Sequence, residues 1–384
     1  MSSRLPAASA ASASSAAGGS DLLMTAARLV ALPSVSMDER AMADHVEAAL
    51  RVVGWLEVDR IAHNVVARTR LGLSHRVVLA GHLDTVPPAD GNDVPRLEEG
   101  TLWGVGAADM KGGLAVMLDL AATLQQPAVD VTYVFYAAEE IAREYSGLLA
   151  LQDARPDLLL GEAAIVCEPT DGIVEAGCQG VLKALLSVAG RRAHVARPEL
   201  GVNAIHRLGP VLGALQAWPG RLRQAGGGGA LREVVVEGCT YRESLQAVSI
   251  SGGGVSNVVP DTAEVALNYR FAPDLDVEAA GRVLREVVAS CMGPDDDLEI
   301  VDSAPAARPH LAHPFLAGLV AAAGGSAKVR GKQGWTDVAF FAERGIPAAN
   351  FGPGDPDVAH TTGEFVTRAS LEHARRVLGE VLSV

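Results

Sequence analysis

Residues Arg76 to Pro88 read RVVLAGHLDTVPP, an apolar run that ends in a histidine and an aspartate two positions apart. Side chains at i and i+2 of a strand share one face, so His82 and Asp84 can act together. The phrase alone fits a metal-bound imidazole whose tautomer a nearby carboxylate fixes. It fits equally a strand that ends in an ordinary polar turn before Pro-Pro.

The pattern recurs. Asp109 lies in WGVGAADMKGG, ahead of the helix-like LAVMLDLAATL; Glu139 and Glu140 follow VTYVFYAA; Glu168 in CEPTDG follows AAIV. Each cluster comes about 30 residues after the last, the length of one βαβ unit. Successive parallel strands would then bring every acidic group to the carboxyl end of the sheet, where open α/β folds place their ligands. The expected fold class is therefore α/β, with a mostly parallel central sheet flanked by helices. Imidazole with several carboxylates, and no cysteine pair at metal spacing, suits zinc, cobalt or manganese. A second histidine is needed for two metal positions. His360, in the Gly/Pro-rich NFGPGDPDVAHTTGE after the strand-like IPAANF, is the candidate, although a lone loop histidine also suits a surface.

HLDTVPP, GAADMKGG, the Glu-Glu pair, CEPTDG, AHVARP, NVVPDTAEVALNYR and the late Gly-Pro-Gly…His together resemble the dinuclear zinc metallopeptidase family of aminoacylase, carboxypeptidase G and acetylornithine deacetylase. GCQG, TYRESLQAV, GWTDVAFFA and NFGPGDPDVAH are most similar to its actinobacterial-type succinyl-diaminopimelate desuccinylases. The resemblance runs from about Asp21 to the C-terminus. It implies His82, Asp109 and Glu168 as ligands of one metal ion and Asp109, Glu140 and His360 as ligands of a second, with Asp109 bridging. It makes Asp84 the residue that orients His82, Glu139 the general base, and His194 in GRRAHVARP the donor to the oxyanion, reaching the partner's site in dimeric relatives. Asn257, Arg270 and Thr336 match family positions near substrate. The implied cofactors are two divalent ions, zinc first and cobalt second. The implied reaction is hydrolysis of N-succinyl-LL-2,6-diaminopimelate to succinate and LL-2,6-diaminopimelate, on the route to lysine and cell-wall precursors. The alternatives are deacylation of another N-acyl amino acid such as N-acetylornithine, and a catalytically silent binding protein.

Plain structural readings stand beside these roles. Glu139-Glu140 also suits a helix start, His194 a loop hydrogen bond, Arg270 a strand-end surface charge, and Thr336-Asp337 an N-cap. One departure from the pattern is Gln179 in GCQG, where many desuccinylases carry an arginine; a glutamine lacks the bidentate charge pairing. Arg191-Arg192 could compensate, or form a solvated turn.

The interval between Glu168 and His360 reads as a strand (KALLSVAG), a helix (NAIHRLGPVLGALQAW), two strands (LQAVSISGG, AEVALNYRF) and a helix (VEAAGRVLREVVASC). That order predicts an inserted α+β domain over 183–292, which the resemblance makes a lid and homodimerisation domain. The catalytic domain would be discontinuous, 21–182 and 293–384. SSRLPAASAASASSAAGGS marks 1–20 as a low-complexity, disordered tail without a signal-like apolar segment, and QAGGGGA near Gly226 as a flexible loop. With 384 residues, 49% hydrophobic content and a net charge of −14, the chain suits a two-domain enzyme and lacks the basic balance of a nucleic-acid binder. No apolar run is long enough for a membrane span. Four cysteines without CxxC spacing suit reduced thiols in cytoplasm.

Overall fold

A computed structural model describes residues 21–218 and 232–384; the expected tail and the Gly226 loop lie outside the described residues. The chain divides into two compact units, one of Met1–Ala176, His310–Arg330 and Phe340–Val384, the other of Gly177–Pro309 and Gly331–Ala339.

The first unit is built on an eight-stranded sheet in the order Leu56–Ile61, Asn64–Thr69, Asp130–Tyr136, Arg76–His82, Ala163–Val166, Ala348–Asn350, Val174–Ala176, Val329–Gly331. Its four central strands, Asp130–Tyr136 to Ala348–Asn350, run parallel. Those strands are apolar throughout because both faces are covered: Val77 and Leu79 pack with Val131, Tyr133 and Phe135 against helices Leu22–Val30, Arg40–Arg51, Gly112–Thr123 and Arg368–Val381 in one core. Register then fixes the site. His82 lies level with Tyr136, Ala80 with Val166, and Asn350 with Val166, so the residues just beyond each strand share one edge of the sheet. A separate three-stranded sheet, Phe365–Thr367, Thr101–Trp103 and Arg96–Glu98, brings the segment after His360 beside the loop that leads to Asp109.

The second unit is a five-stranded antiparallel sheet in the order Arg232–Val236, Cys239–Gly252, Thr262–Phe271, Gly180–Ala189, Asp297–Ala304. Beyond its exposed first residue, Thr262–Phe271 alternates buried and half-buried positions, and its inward residues pack on helices Ala204–Ala217 and Val277–Ala289. Asn203 caps the first of these helices through Ile205 N and His206 N, Asp276 the second through Ala279 N.

The α/β class with an α+β insert is borne out. The division itself falls outside the expected limits of 183 and 292. Gly180–Ala189 starts three residues earlier than expected, and Asp297–Ala304, assigned from the sequence to the catalytic domain, pairs along it from Asp297↔Ser187 to Ala304↔Val181. Thr336, likewise assigned to the catalytic part, belongs to the second unit.

Candidate metal centre

His82 is the last residue of its strand and is buried. Its Nδ1 lies 3.1 Å from the Asp84 carbonyl oxygen and 3.5 Å from Asp84 Oδ1, which leaves Nε2 to face outward. That nitrogen is 3.0 Å from Asp109 Oδ1 and 3.9 Å from Glu168 Oε1. The other Asp109 oxygen, Oδ2, is 3.4 Å from His360 Nε2, which also lies 2.9 Å from Glu140 Oε1. One carboxylate thus stands between two imidazoles, with Glu168 on one side and Glu140 on the other. The candidate ligand atoms of His82, Asp109 and Glu140 all lie within 4.8 Å of one another.

The donor set fits divalent cations. Three carboxylates and two imidazoles without a thiolate form a hard, electron-rich N/O cluster; Cys167, beside Glu168, is pushed well above the ordinary thiol range by burial. In the metal-free protein the cluster draws protons instead. Burial opposes a charge on His82, yet hydrogen bonds to Asp109 and Asp84 raise its pKa well above the usual value. Hydrogen bonds to Asp109 and Glu140 push His360 up to about 10. Burial pushes Asp109 up, but the hydrogen bonds of His360 and His82 hold it below the carboxylate range. Cations bound here would supply the positive charge that those protons now supply.

Asp84 is completely buried and ties the site together. Its Oδ2 accepts from Ser36 Oγ at 2.7 Å and from Glu140 N at 3.1 Å, and its Oδ1 from Glu139 N at 3.0 Å. Burial raises its pKa, but the His82 hydrogen bond and charge, with Ser36 and the Glu139 amide, bring it down to about 2. The Glu139-Glu140 pair follows Ala138 at φ 58°, a turn and not the start of a helix.

The loop carrying Asp109 approaches its neighbours closely. Gly106 has φ 78°, and a Cβ there would meet Thr85 Cγ2 at 2.6 Å. Glu364, also buried, accepts from the backbone N–H groups of Gly106 (3.0 Å), Ala108 (2.9 Å) and Asp109 (2.9 Å). Burial, with the Asp109 charge nearby, pushes Glu364 up to about 7 against the pull of those donors. Lys111, buried behind the same loop, donates Nζ to Leu32 O at 2.8 Å. Sequence reasoning assigned nothing to Ser36, Lys111 or Glu364. The last two stand inside quoted phrases, GAADMKGG and NFGPGDPDVAHTTGE, but their partners are backbone groups that leave no mark in a sequence.

His194, Asn257, Arg270 and Thr336 belong to the second unit. His194 pairs with Val258 in a short ladder, where Val195 N donates to Asn257 O at 3.1 Å. The His194 Nδ1 accepts from Ala196 N at 3.1 Å, which places the proton of the neutral ring on Nε2. Arg270 is half-buried, with Nε donating to Asn268 Oδ1 at 3.1 Å, and no carboxylate among the described residues pairs with it. Burial lowers its pKa. Thr336 accepts from Ala339 N through its carbonyl oxygen at 3.1 Å, while its buried Oγ1 has no partner among the described residues; its hydroxyl does not cap the helix. Gln179 donates Nε2 to Arg242 O at 2.7 Å. Arg191 and Arg192 are exposed, Arg191 on Leu200 O and Arg192 3.9 Å from Asp261.

Comparison with known proteins agrees with this geometry. A succinyl-diaminopimelate desuccinylase DapE of Mycobacterium tuberculosis, so named provisionally, is 49% identical over 366 residues, 94% of this chain and 98% of that protein. The succinyl-diaminopimelate desuccinylase of Corynebacterium glutamicum is 40% identical over 370 residues, 94% and 96% of the two chains. Among solved structures, aminopeptidase PepT of Bacillus cereus has the same fold, with TM-score 0.74 at 19% identity over 94% and 97% of the chains. So does the Bacillus subtilis YXEP protein, described as a dinuclear metal binding peptidase, with TM-score 0.68 at 17% identity over 94% and 96%. The profile of peptidase family M20/M25/M40 matches residues 78–383, which spans every group of the cluster from His82 to His360, and the chain belongs to that family.

Proposed function

We propose that the chain hydrolyses the amide bond of N-succinyl-LL-2,6-diaminopimelate in a metal-dependent reaction, releasing succinate and LL-2,6-diaminopimelate. The observation that carries the chemistry is the convergence of His82, Asp109, Glu140, Glu168 and His360 at the carboxyl edge of the parallel strands. The near full-length desuccinylase relatives support the substrate. Two divalent ions would be held by those five side chains, with Asp109 common to both, and when bound they supply Lewis acidity and acidify water.

The chain's own groups do the rest. Glu139 accepts the proton of the attacking water and returns it to the departing amine nitrogen. Asp84 keeps His82 presented through Nε2 and, by accepting from both Glu139 N and Glu140 N, fixes base and ligand relative to each other. His194 gives its Nε2–H to the developing oxyanion. Arg270, with Nε engaged by Asn268, offers its terminal nitrogens to a substrate carboxylate; Asn257 and the Thr336 hydroxyl add polar contacts.

Zinc in both positions, with cobalt as a substitute, is part of the same reading. So are a catalytic first unit, a second unit acting as lid and homodimerisation domain, and residence in the cytoplasm, which the free state of all four cysteines favours. No helix among the described residues is long and apolar enough to cross a membrane. The deciding experiment is steady-state turnover of the zinc-loaded protein on N-succinyl-diaminopimelate and on N-acetylornithine, with a chelator-treated control. A metal-dependent preference of at least about tenfold in kcat/KM for the succinyl compound, about 1.4 kcal/mol of discrimination, is expected. Preference for the acetyl compound would overturn the substrate.

A further inference from the structure

We propose that Glu364 is a positioning residue of the metal centre, a buried carboxylate that locks the loop carrying Asp109 to the segment carrying His360. The proposal rests on the reading of those two residues as ligands.

Glu364 follows His360 by four positions and immediately precedes the strand Phe365–Thr367. That strand pairs with Thr101–Trp103, Val366 opposite Leu102, and the Glu364 carbonyl oxygen accepts from Gly104 N at 3.1 Å. The side chain then continues the attachment. Oε2 takes Gly106 N, and Oε1 takes both Ala108 N and Asp109 N. Four backbone amides between Gly104 and Asp109 therefore end on one residue. A carboxylate suits this task because it presents two acceptor oxygens and no donor, and converging amides form a concavity that favours an anion. The isosteric amide cannot replace it, since its NH2 would face an N–H.

The consequence for Asp109 is geometric. Its two oxygens lie toward different imidazoles, Oδ1 toward His82 and Oδ2 toward His360, so a small rotation of its backbone spoils both approaches at once. Glu364 fixes that backbone at the Asp109 amide itself. It also sits on the segment that delivers His360, so any shift of one ligand relative to the other must break the same hydrogen bonds. Placing a further acidic group beside a cluster already rich in carboxylates is costly for a tie that only stabilises the fold. It is reasonable where the neighbouring ligands serve cations.

The test uses the full chain, stripped of metal and titrated with Zn²⁺ alone against a chromophoric chelator, with the visible spectrum of the Co²⁺-loaded protein as a second readout. Glu364→Gln is expected to weaken zinc binding roughly 10- to 100-fold, to alter the Co²⁺ spectrum, and to lower kcat with little change in KM, while circular dichroism shows a folded protein. Zinc affinity within twofold of the parent would overturn the proposal. Asp109→Ala, run in parallel, separates the two readings: if it retains zinc, the ligand assignment fails, whereas loss of zinc in Asp109→Ala with retention in Glu364→Gln sinks Glu364 alone. Should Glu364→Gln not fold, Glu364→Asp replaces it. That variant keeps the charge but is too short to reach all three amides, and unchanged zinc affinity there would equally refute the role.

Discussion

Replacing Asp84 by asparagine should cost more in catalysis and stability than the loss of one charge suggests, because of where its two oxygens point. Oδ1 accepts from Glu139 N at 3.0 Å, and Oδ2 from Glu140 N at 3.1 Å and Ser36 Oγ at 2.7 Å, in a completely buried position. Asparagine has one acceptor oxygen and one donor group. Either orientation sets its NH2 against one of the two backbone amides. The charge-assisted bond lost and the buried N–H left behind together cost about 3 kcal/mol. The same change frees the segment that holds both the proposed base and a proposed ligand, and a displacement of order 1 Å there lowers kcat about 100-fold. Ser36→Ala is the control. It removes one hydrogen bond to Asp84 but leaves both amides satisfied, for about 1 kcal/mol and a small change in kcat. Urea unfolding of the metal-free proteins and turnover of the zinc-loaded ones would be compared. If Asp84→Asn matches Ser36→Ala in both, the argument that Asp84 fixes the Glu139-Glu140 segment is refuted.

Three further outcomes are expected. Glu139→Gln should abolish turnover while zinc content stays at the parental level, because Glu139 is read as base and not as ligand; loss of zinc, measured by elemental analysis, would reassign it. Zinc binding near pH 7 should release close to two protons, one each from His82 and His360, both of which stand above the ordinary value of 6.5 in the metal-free protein. Raised folded-state values make the associated stability full below about pH 6.5 and lose it as pH rises, for His360 as it climbs toward 10. The metal-free protein should therefore lose stability across that window and the zinc-loaded protein should not. Calorimetry in buffers of different ionisation enthalpy counts the protons, and a count near zero would contradict the protonated cluster.

What could be read in the sequence divides along a physical line. Three parallel strands announced themselves through apolar runs that lead to His82, to Glu139-Glu140 and to Glu168, but Asp109, expected at the end of another, lies instead on the loop after Thr101–Trp103 of the separate three-stranded sheet. The order of strands in the main sheet left no such trace. Val77 to Ala80 and Val131 to Tyr136 are buried on both faces, so their composition carries no phase that says which strand lies beside which. The opposite difficulty hid Asp297–Ala304. Its burial alternates weakly, with Asp297, Glu299, Val301 and Asp302 exposed, and DLEIVDSA reads as readily as a loop. That strand accounts for most of the misplaced boundary.

The site shows the same division one level down. Side chains that meet side chains were read as candidates, because acidic groups recurring about 30 residues apart after apolar runs point to one shared site. Side chains that meet backbone were missed. Asp84 was assigned to His82, its partner in sequence, yet it also receives the amides of Glu139 and Glu140, more than fifty residues away. Glu364 was passed over for the same reason, since nothing in GAADMKGG says that its amides need an acceptor. The proposed ligands were legible as residue types, and their division between two ions only as what the family resemblance implies. The carboxylates that hold those ligands still become visible only when the backbone they bind has been placed.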